Sequence, residues 1–187
     1  MKTFIQVGLL STAEYAYLTE DASNTPANDC LLFHSEDKWQ YVGVEINPMA
    51  CYKTAEKYTK KNRKFLCAGL GSKKEIRQVL VHRDSDTPII MSIPVITIND
   101  LVRQLSIKSL DGIYIDIEGQ EMEILRNYDW EFKPEFFGVE IHDFKEKGQA
   151  LERNAEEAQS ILIDQGYKKT FEKMTNADRT IEMQFTI

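Results

Sequence analysis

The chain is poor in the residues that staple, span or disorder a protein. Its three cysteines, Cys30, Cys51 and Cys67, are an odd number without C-x-x-C spacing, so neither a disulfide framework nor a zinc site is indicated. Reduced thiols in a cytoplasmic protein are expected instead. Only 5 prolines and 9 glycines occur in 187 residues, and no Pro/Gly/Ser tract or repeat divides them, so one domain over residues 1–187 is expected. No apolar run approaches the roughly 18 residues of a membrane span. The apolar start, residues 4–10, is interrupted by Gln6 and suits a first strand better than a signal-peptide core. Basic charge is also short, with 23 Lys and Arg against 30 Asp and Glu. The resulting net charge of −7 argues against nonspecific nucleic-acid binding, which rests on phosphate neutralisation. The 42% hydrophobic content supplies a core and excludes a largely disordered chain.

What is present is an alternation of patterns. Strands are expected at residues 4–10, 41–46, 65–68, 76–82, 93–98, 112–117, 136–141, 167–173 and 180–187. Helical spacing is expected at 12–19, 48–61, 98–104, 121–127 and 151–165. Asn99 or Asp100 can cap the third of these helices, and Gly166 can stop the last. Alternating strands and helices predict a mostly parallel sheet covered on both faces. The short polar turn 175–178 predicts that the last two strands pair antiparallel. Residues 20–38 read as an acidic loop with a short element inside it.

The chemistry gathers at strand ends. GIYIDIEGQEMEIL, from Gly112 to Leu125, sets Asp116 and Glu118 just beyond a buried strand, where ligands of open α/β sheets bind. Carboxylates in such a place are costly unless paired or used. In YVGVEINP, Glu45 ends a strand where an acid can bind ribose hydroxyls or simply be solvated, and Pro48 suits the first helical turn. Gly8 ends the first strand, as a turn glycine or as room for a ligand. CAGLGS, Cys67 to Ser72, is a small-residue corner against which a flat ring can lie. In GVEIHD, Glu140, His142 and Asp143 can share a crevice with Asp116 and Glu118; His142 is a candidate general base, metal ligand or hydrogen-bonded structural residue. No ligand spacing demands a metal, and none is expected. The basic stretch 53–64 reads as a solvated helix face, and Trp39 and Trp130 as packing residues.

In order, these segments resemble the FkbM family of S-adenosylmethionine-dependent methyltransferases over about residues 1–173. IPVITINDLV is similar to the family's V-x-T-L-D-D-L, and IYIDIEGQEMEILRN to its K-I-D-I-E-G-x-E-x-x-V-L-x-G. KPEFFGVEIHD is similar to its P-x-x-hydrophobic-x-E-x-H strand, and YVGVEINP to V-x-x-x-E-P-N-P with Ile46 replacing Pro. The resemblance implies a Rossmann-like class I methyltransferase fold: a mostly parallel seven-stranded sheet, an antiparallel terminal hairpin, and helices on both faces. Strands 76–82 and 93–98 match an insertion typical of the family. It implies S-adenosylmethionine as cofactor, bound by Gly8, Glu45, Asn47, Ala68, Gly69, Leu70 and Asp116. Asp116, Glu118 and His142 are the implied catalytic residues, and the hydroxyl of a sugar or small metabolite the implied acceptor, with no nucleic-acid or membrane partner.

One departure stands out. Where the family has D-x-G-A-N-x-G after the first strand, this chain reads Q-V-G-L-L-S-T-A. The second glycine is lost, and Leu9 and Leu10 occupy positions that meet the cofactor. A second reading follows from it: a methyltransferase-like fold without catalysis, serving as a binding or assembly module. A nucleotide-dependent oxidoreductase is disfavoured, because no G-x-G-x-x-G follows the first strand.

Overall fold

Runs of β-branched and aromatic residues set the strands, and a reversal in strand order sets the site. The computed structural model describes residues 2–9, 39–58, 61–81, 89–117, 119–142, 149–175 and 180–187. The expected helix at 12–19, the loop 20–38, Leu10, Cys30, Glu118 and Asp143 lie outside them. The elements run β1 (Lys2–Val7), β2 (Trp39–Glu45), α1 (Pro48–Tyr58), β3 (Arg63–Cys67), β4 (Gly69–Leu70), β5 (Glu75–Val81) and β6 (Ile89–Ile96). They continue with α2 (Ile98–Gln104), β7 (Gly112–Ile115), α3 (Glu121–Asn127), β8 (Phe136–His142), α4 (Gln149–Asp164), β9 (Lys168–Thr175) and β10 (Thr180–Thr186).

Seven strands form one sheet in the order β3-β2-β1-β7-β8-β10-β9. β1 pairs parallel with both β2 and β7, and β7 with β8, whereas β10 is antiparallel to β8 and to β9. This is the expected sheet with its terminal hairpin. From β1 the chain winds outward through β2 and β3, then returns across β1 to β7 and β8. Right-handed crossovers running in opposite directions place α1 and α3 on opposite faces. The reversal falls between β1 and β7, which is where doubly wound sheets bind ligands.

One face of the sheet carries the main core. Ile5, Val7, Ile113, Ile115, Phe137, Val139 and Ile141 pack there against Leu101 and Val102 of α2, Leu125 of α3, and Ala158 and Leu162 of α4. Each such fully buried aliphatic side chain contributes about 1.5–3 kcal/mol relative to exposure. Trp130 joins this core, its ring 4.7 Å from Tyr128 and 5.8 Å from Phe137, so it is a packing residue. The opposite face holds Phe4, Tyr41 and Tyr114 with Phe65 and Phe136.

Several details depart from expectation. Thr97, not Asn99 or Asp100, caps α2: its Oγ1 accepts from the Asp100 N–H at 3.1 Å. Asn99 is buried within the first turn and Asp100 pairs with Lys74 at 2.8 Å. The basic stretch is not one solvated helix face, since Arg63 is buried and opens β3 while Lys61 and Lys64 are exposed. A second, three-stranded sheet, β4-β6-β5, accounts for the insertion, and its β4 was too short for any periodicity to announce. Gly166 ends α4 as expected, at a φ of 86° that a side chain would resist.

Candidate functional site

The site grows from the ends of β1, β2 and β7. Beyond Val7 the chain turns at Gly8, whose φ is 82° and whose N–H donates to the Val44 carbonyl at 2.9 Å. On the other side the Asp116 N–H donates to the Val7 carbonyl at 2.9 Å. A Cβ on Gly8 would lie 1.5 Å from the Asp116 carbonyl oxygen, so this glycine is required by the chain's own backbone.

Glu45 ties the next loop down. Its Oε2 accepts from the Leu9 N–H and its Oε1 from the Asn47 N–H, each at 2.7 Å, and the side chain is buried. Each carboxylate oxygen carries two lone pairs. Asn47 caps α1 through Oδ1, which accepts from the N–H groups of Met49 at 3.0 Å and Ala50 at 3.3 Å. Leu9 is buried with its side chain over Gly43, beside Phe65.

These strand ends enclose a cavity of about 550 Å³. Gly8, Glu45, Asn47, Ala68, Gly69, Leu70 and Asp116, the residues expected to meet a cofactor, all line it. Leu9 lines it as well, and another part of the wall comes from the smaller sheet, through Arg77, Gln78 and Val79. Arg77 is held by Glu75 at 2.6 Å and by Gln120, which bridges the insertion to the loop before α3. That pairing, with Lys73 adding to it, holds the Glu75 carboxyl below its ordinary range.

Beside the cavity stands a polar cluster on β7, α3 and β8. His142 is buried, its Nδ1 3.1 Å from Glu121 Oε1 and its Nε2 3.6 Å from Asp116 Oδ1 and 4.0 Å from Glu140 Oε1. Glu121 is 1% exposed, and the same Oε1 accepts from the N–H groups of Ile117 and Gly119, both at 3.0 Å. With Nδ1 turned to Glu121, the ring presents Nε2 toward Asp116 and Glu140. The structure thus joins Asp116, Glu140 and His142, as expected. Glu121 escapes a sequence reading, because an acid in the first turn of a helix looks like a complement to the helix dipole. The available signal is the last Glu of the D-I-E-G-x-E stretch, two residues after Gly119, whose φ is 96°.

The two free thiols that the structure describes lie near Glu45. Burial, with Cys67 and Glu45 adding to it, pushes the Cys51 thiol up to about 11; burial and Glu45 also raise Cys67. Neither is an activated nucleophile.

A parallel sheet that reverses at β1 and ends in an antiparallel hairpin, with an acid closing β2 over a cavity, defines a Rossmann-like methyltransferase fold. The chain belongs to the FkbM methyltransferase domain family, whose model matches residues 21–169. Among solved structures, Aeropyrum pernix fibrillarin, crystallised with natively bound S-adenosyl-L-methionine, superposes with a TM-score of 0.52 at 10% identity, over 99% of this chain and 66% of that one. A SAM-dependent methyltransferase from Aquifex aeolicus aligns at a TM-score of 0.49 and 13% identity, over 100% of this chain and 82% of that one. No curated protein matches the sequence. Among the described residues no helix is long and apolar enough to cross a membrane.

Proposed function

We propose that this chain transfers a methyl group from S-adenosylmethionine to a hydroxyl of a sugar or another small metabolite. One observation carries the reading: the expected cofactor contacts, scattered from Gly8 to Asp116 in sequence, line a single cavity of about 550 Å³. That volume is ordinary for a ligand of nucleoside size. The residues present fit such a group. Glu45 is an acid at the cavity wall, the group that accepts from ribose hydroxyls, and Ala68 and Leu70 are buried, apolar and close to the backbone corner where a flat ring can rest. Leu9 lines this cavity too, with its side chain packed over Gly43.

When bound, S-adenosylmethionine supplies a methyl group on a positively charged sulfur. The chain's task is then positioning and proton removal. Cavity walls hold donor and acceptor in line, which can account for much of the rate. Asp116, which lines the cavity, or His142 behind it receives the hydroxyl proton; Glu121 holds the imidazole in place. Glu118, which follows Asp116 by two residues, remains a further candidate acceptor on sequence grounds.

Calorimetric titration with S-adenosylhomocysteine tests the reading. One-site heat and a rise in melting temperature are expected, since a ligand that binds only the folded state stabilises it. Absence of both overturns it in favour of a non-catalytic module.

A further inference from the structure

We infer that Asp116, Glu140 and His142 form a binding site for one divalent transition-metal cation beside the cofactor cavity. One ligand atom from each side chain lies within 4.8 Å of the others. A cation with ligands at about 2.0–2.2 Å spaces them roughly 3.0–3.6 Å apart, so small torsions of Asp116 and Glu140 complete the set. The 3.6 Å separation of His142 Nε2 from Asp116 Oδ1 already has that spacing.

Three further features point the same way. The first is the histidine's orientation. Glu121 takes Nδ1, as a carboxylate behind a metal-bound imidazole does, and so turns Nε2 toward the two other carboxylates. Glu121 is itself fixed by two backbone N–H groups, so the ring is held before any ligand arrives.

The second is charge. Glu121, Asp116 and Glu140 surround a single imidazole, and buried Glu182 stands directly opposite Glu140 on β10. Glu182 also accepts from Gln184 Nε2 at 3.1 Å and faces exposed Lys173 across to β9. Like charges opposite each other on a sheet repel, and a cation between their carboxylates relieves this. A divalent ion neutralises two such charges.

The third is access. Asp116 also lines the cofactor cavity, so a cation held on it would sit at the cavity's edge, with positions beyond the three protein ligands for an oxygen ligand. One imidazole and two carboxylates suit Mn²⁺, Fe²⁺ or Zn²⁺ better than Ca²⁺. On the methyltransferase reading, on which this role rests, the ion would orient the acceptor through its oxygen atoms.

The test uses Mn²⁺ alone with the full chain, read by electron paramagnetic resonance and by thermal shift, without cofactor. Uptake of one Mn²⁺ per chain is expected, weakened at least tenfold in Glu140→Gln and roughly ten- to a hundred-fold in Glu121→Gln. Glu152→Gln, on the exposed side of α4, should bind as the parent does. Glu140 is partly exposed, so its variant is expected to fold, and circular dichroism checks it. No uptake at millimolar Mn²⁺, or uptake unchanged in Glu140→Gln, overturns the inference and leaves the cluster as a proton acceptor. S-adenosylhomocysteine binding without Mn²⁺ uptake removes only the cation. Mn²⁺ uptake without S-adenosylhomocysteine binding removes only the methyltransferase reading.

Discussion

The carbonyl oxygen of Asp116 occupies the space that any side chain on Gly8 would need, 1.5 Å from an ideal Cβ. The two strand ends that build the site are therefore in backbone contact, and the glycine's φ of 82° adds a second barrier to substitution. Gly8→Ala should destabilise the protein by about 3 kcal/mol or more through strain and a clash with backbone. Urea denaturation measures this, and a change under about 0.5 kcal/mol would mean that the two strand ends are not so closely apposed.

Glu45 anchors both flanking loops. Glu45→Gln keeps one acceptor but turns an amide donor toward a backbone N–H, at a cost of about 1–3 kcal/mol. Affinity for S-adenosylhomocysteine should fall at least tenfold, since the loops at Leu9 and Asn47 lose their shared anchor. Calorimetry on the folded variant reads it; full affinity would remove Glu45 from the cofactor site.

Asp116→Asn conserves shape and removes charge beside the cavity. Folding and S-adenosylhomocysteine affinity should persist, while methyl transfer drops by about 10²–10⁴-fold, the usual reach of a proton-accepting or orienting group. Transfer of a radiolabelled methyl from S-adenosylmethionine to small-molecule acceptors is the measurement. Unchanged turnover removes Asp116 from the mechanism.

The thiols offer a pH test independent of any ligand. The folded Cys51 thiol is raised from 9.0 to about 11, so the native state keeps its proton while the unfolded chain releases it. By linkage, this group's contribution is complete below pH 9 and declines as pH rises from about 9 toward 11. In a Cys30→Ser background, iodoacetamide at pH 8 should modify exposed Cys67 slowly and buried Cys51 only on unfolding. Rapid modification of native Cys51 contradicts the buried placement.

The parts legible in the sequence were those with local periodicity or a turn residue at a fixed offset. α2 and α3 run over the spans that their apolar spacing predicts, and every expected strand within the described residues is present. Strand ends carrying acids were legible too, because an Asp or Glu after an apolar run is conspicuous. What was hidden depends on distant partners. Glu121 is buried because His142 arrives from 21 residues away. Thr97 caps α2 because the chain leaves β6 extended just before it, so the cap lies one residue outside the helical pattern. β4 is two residues long and exists only because β6 lies alongside it.

The smaller sheet carries a last consequence. Arg77, Gln78 and Val79 close the cavity, yet β4, β5 and β6 share no ladder with the seven-stranded sheet. Replacing the segment between Gly69 and Ile96 therefore breaks no strand pairing in the main sheet. The cavity wall that this sheet supplies is thus joined to the main sheet by packing, Leu70 included, and not by a shared ladder. A graft that keeps Gly69 and Leu70, which line the cavity from the same segment, would vary the wall at Arg77, Gln78 and Val79 alone.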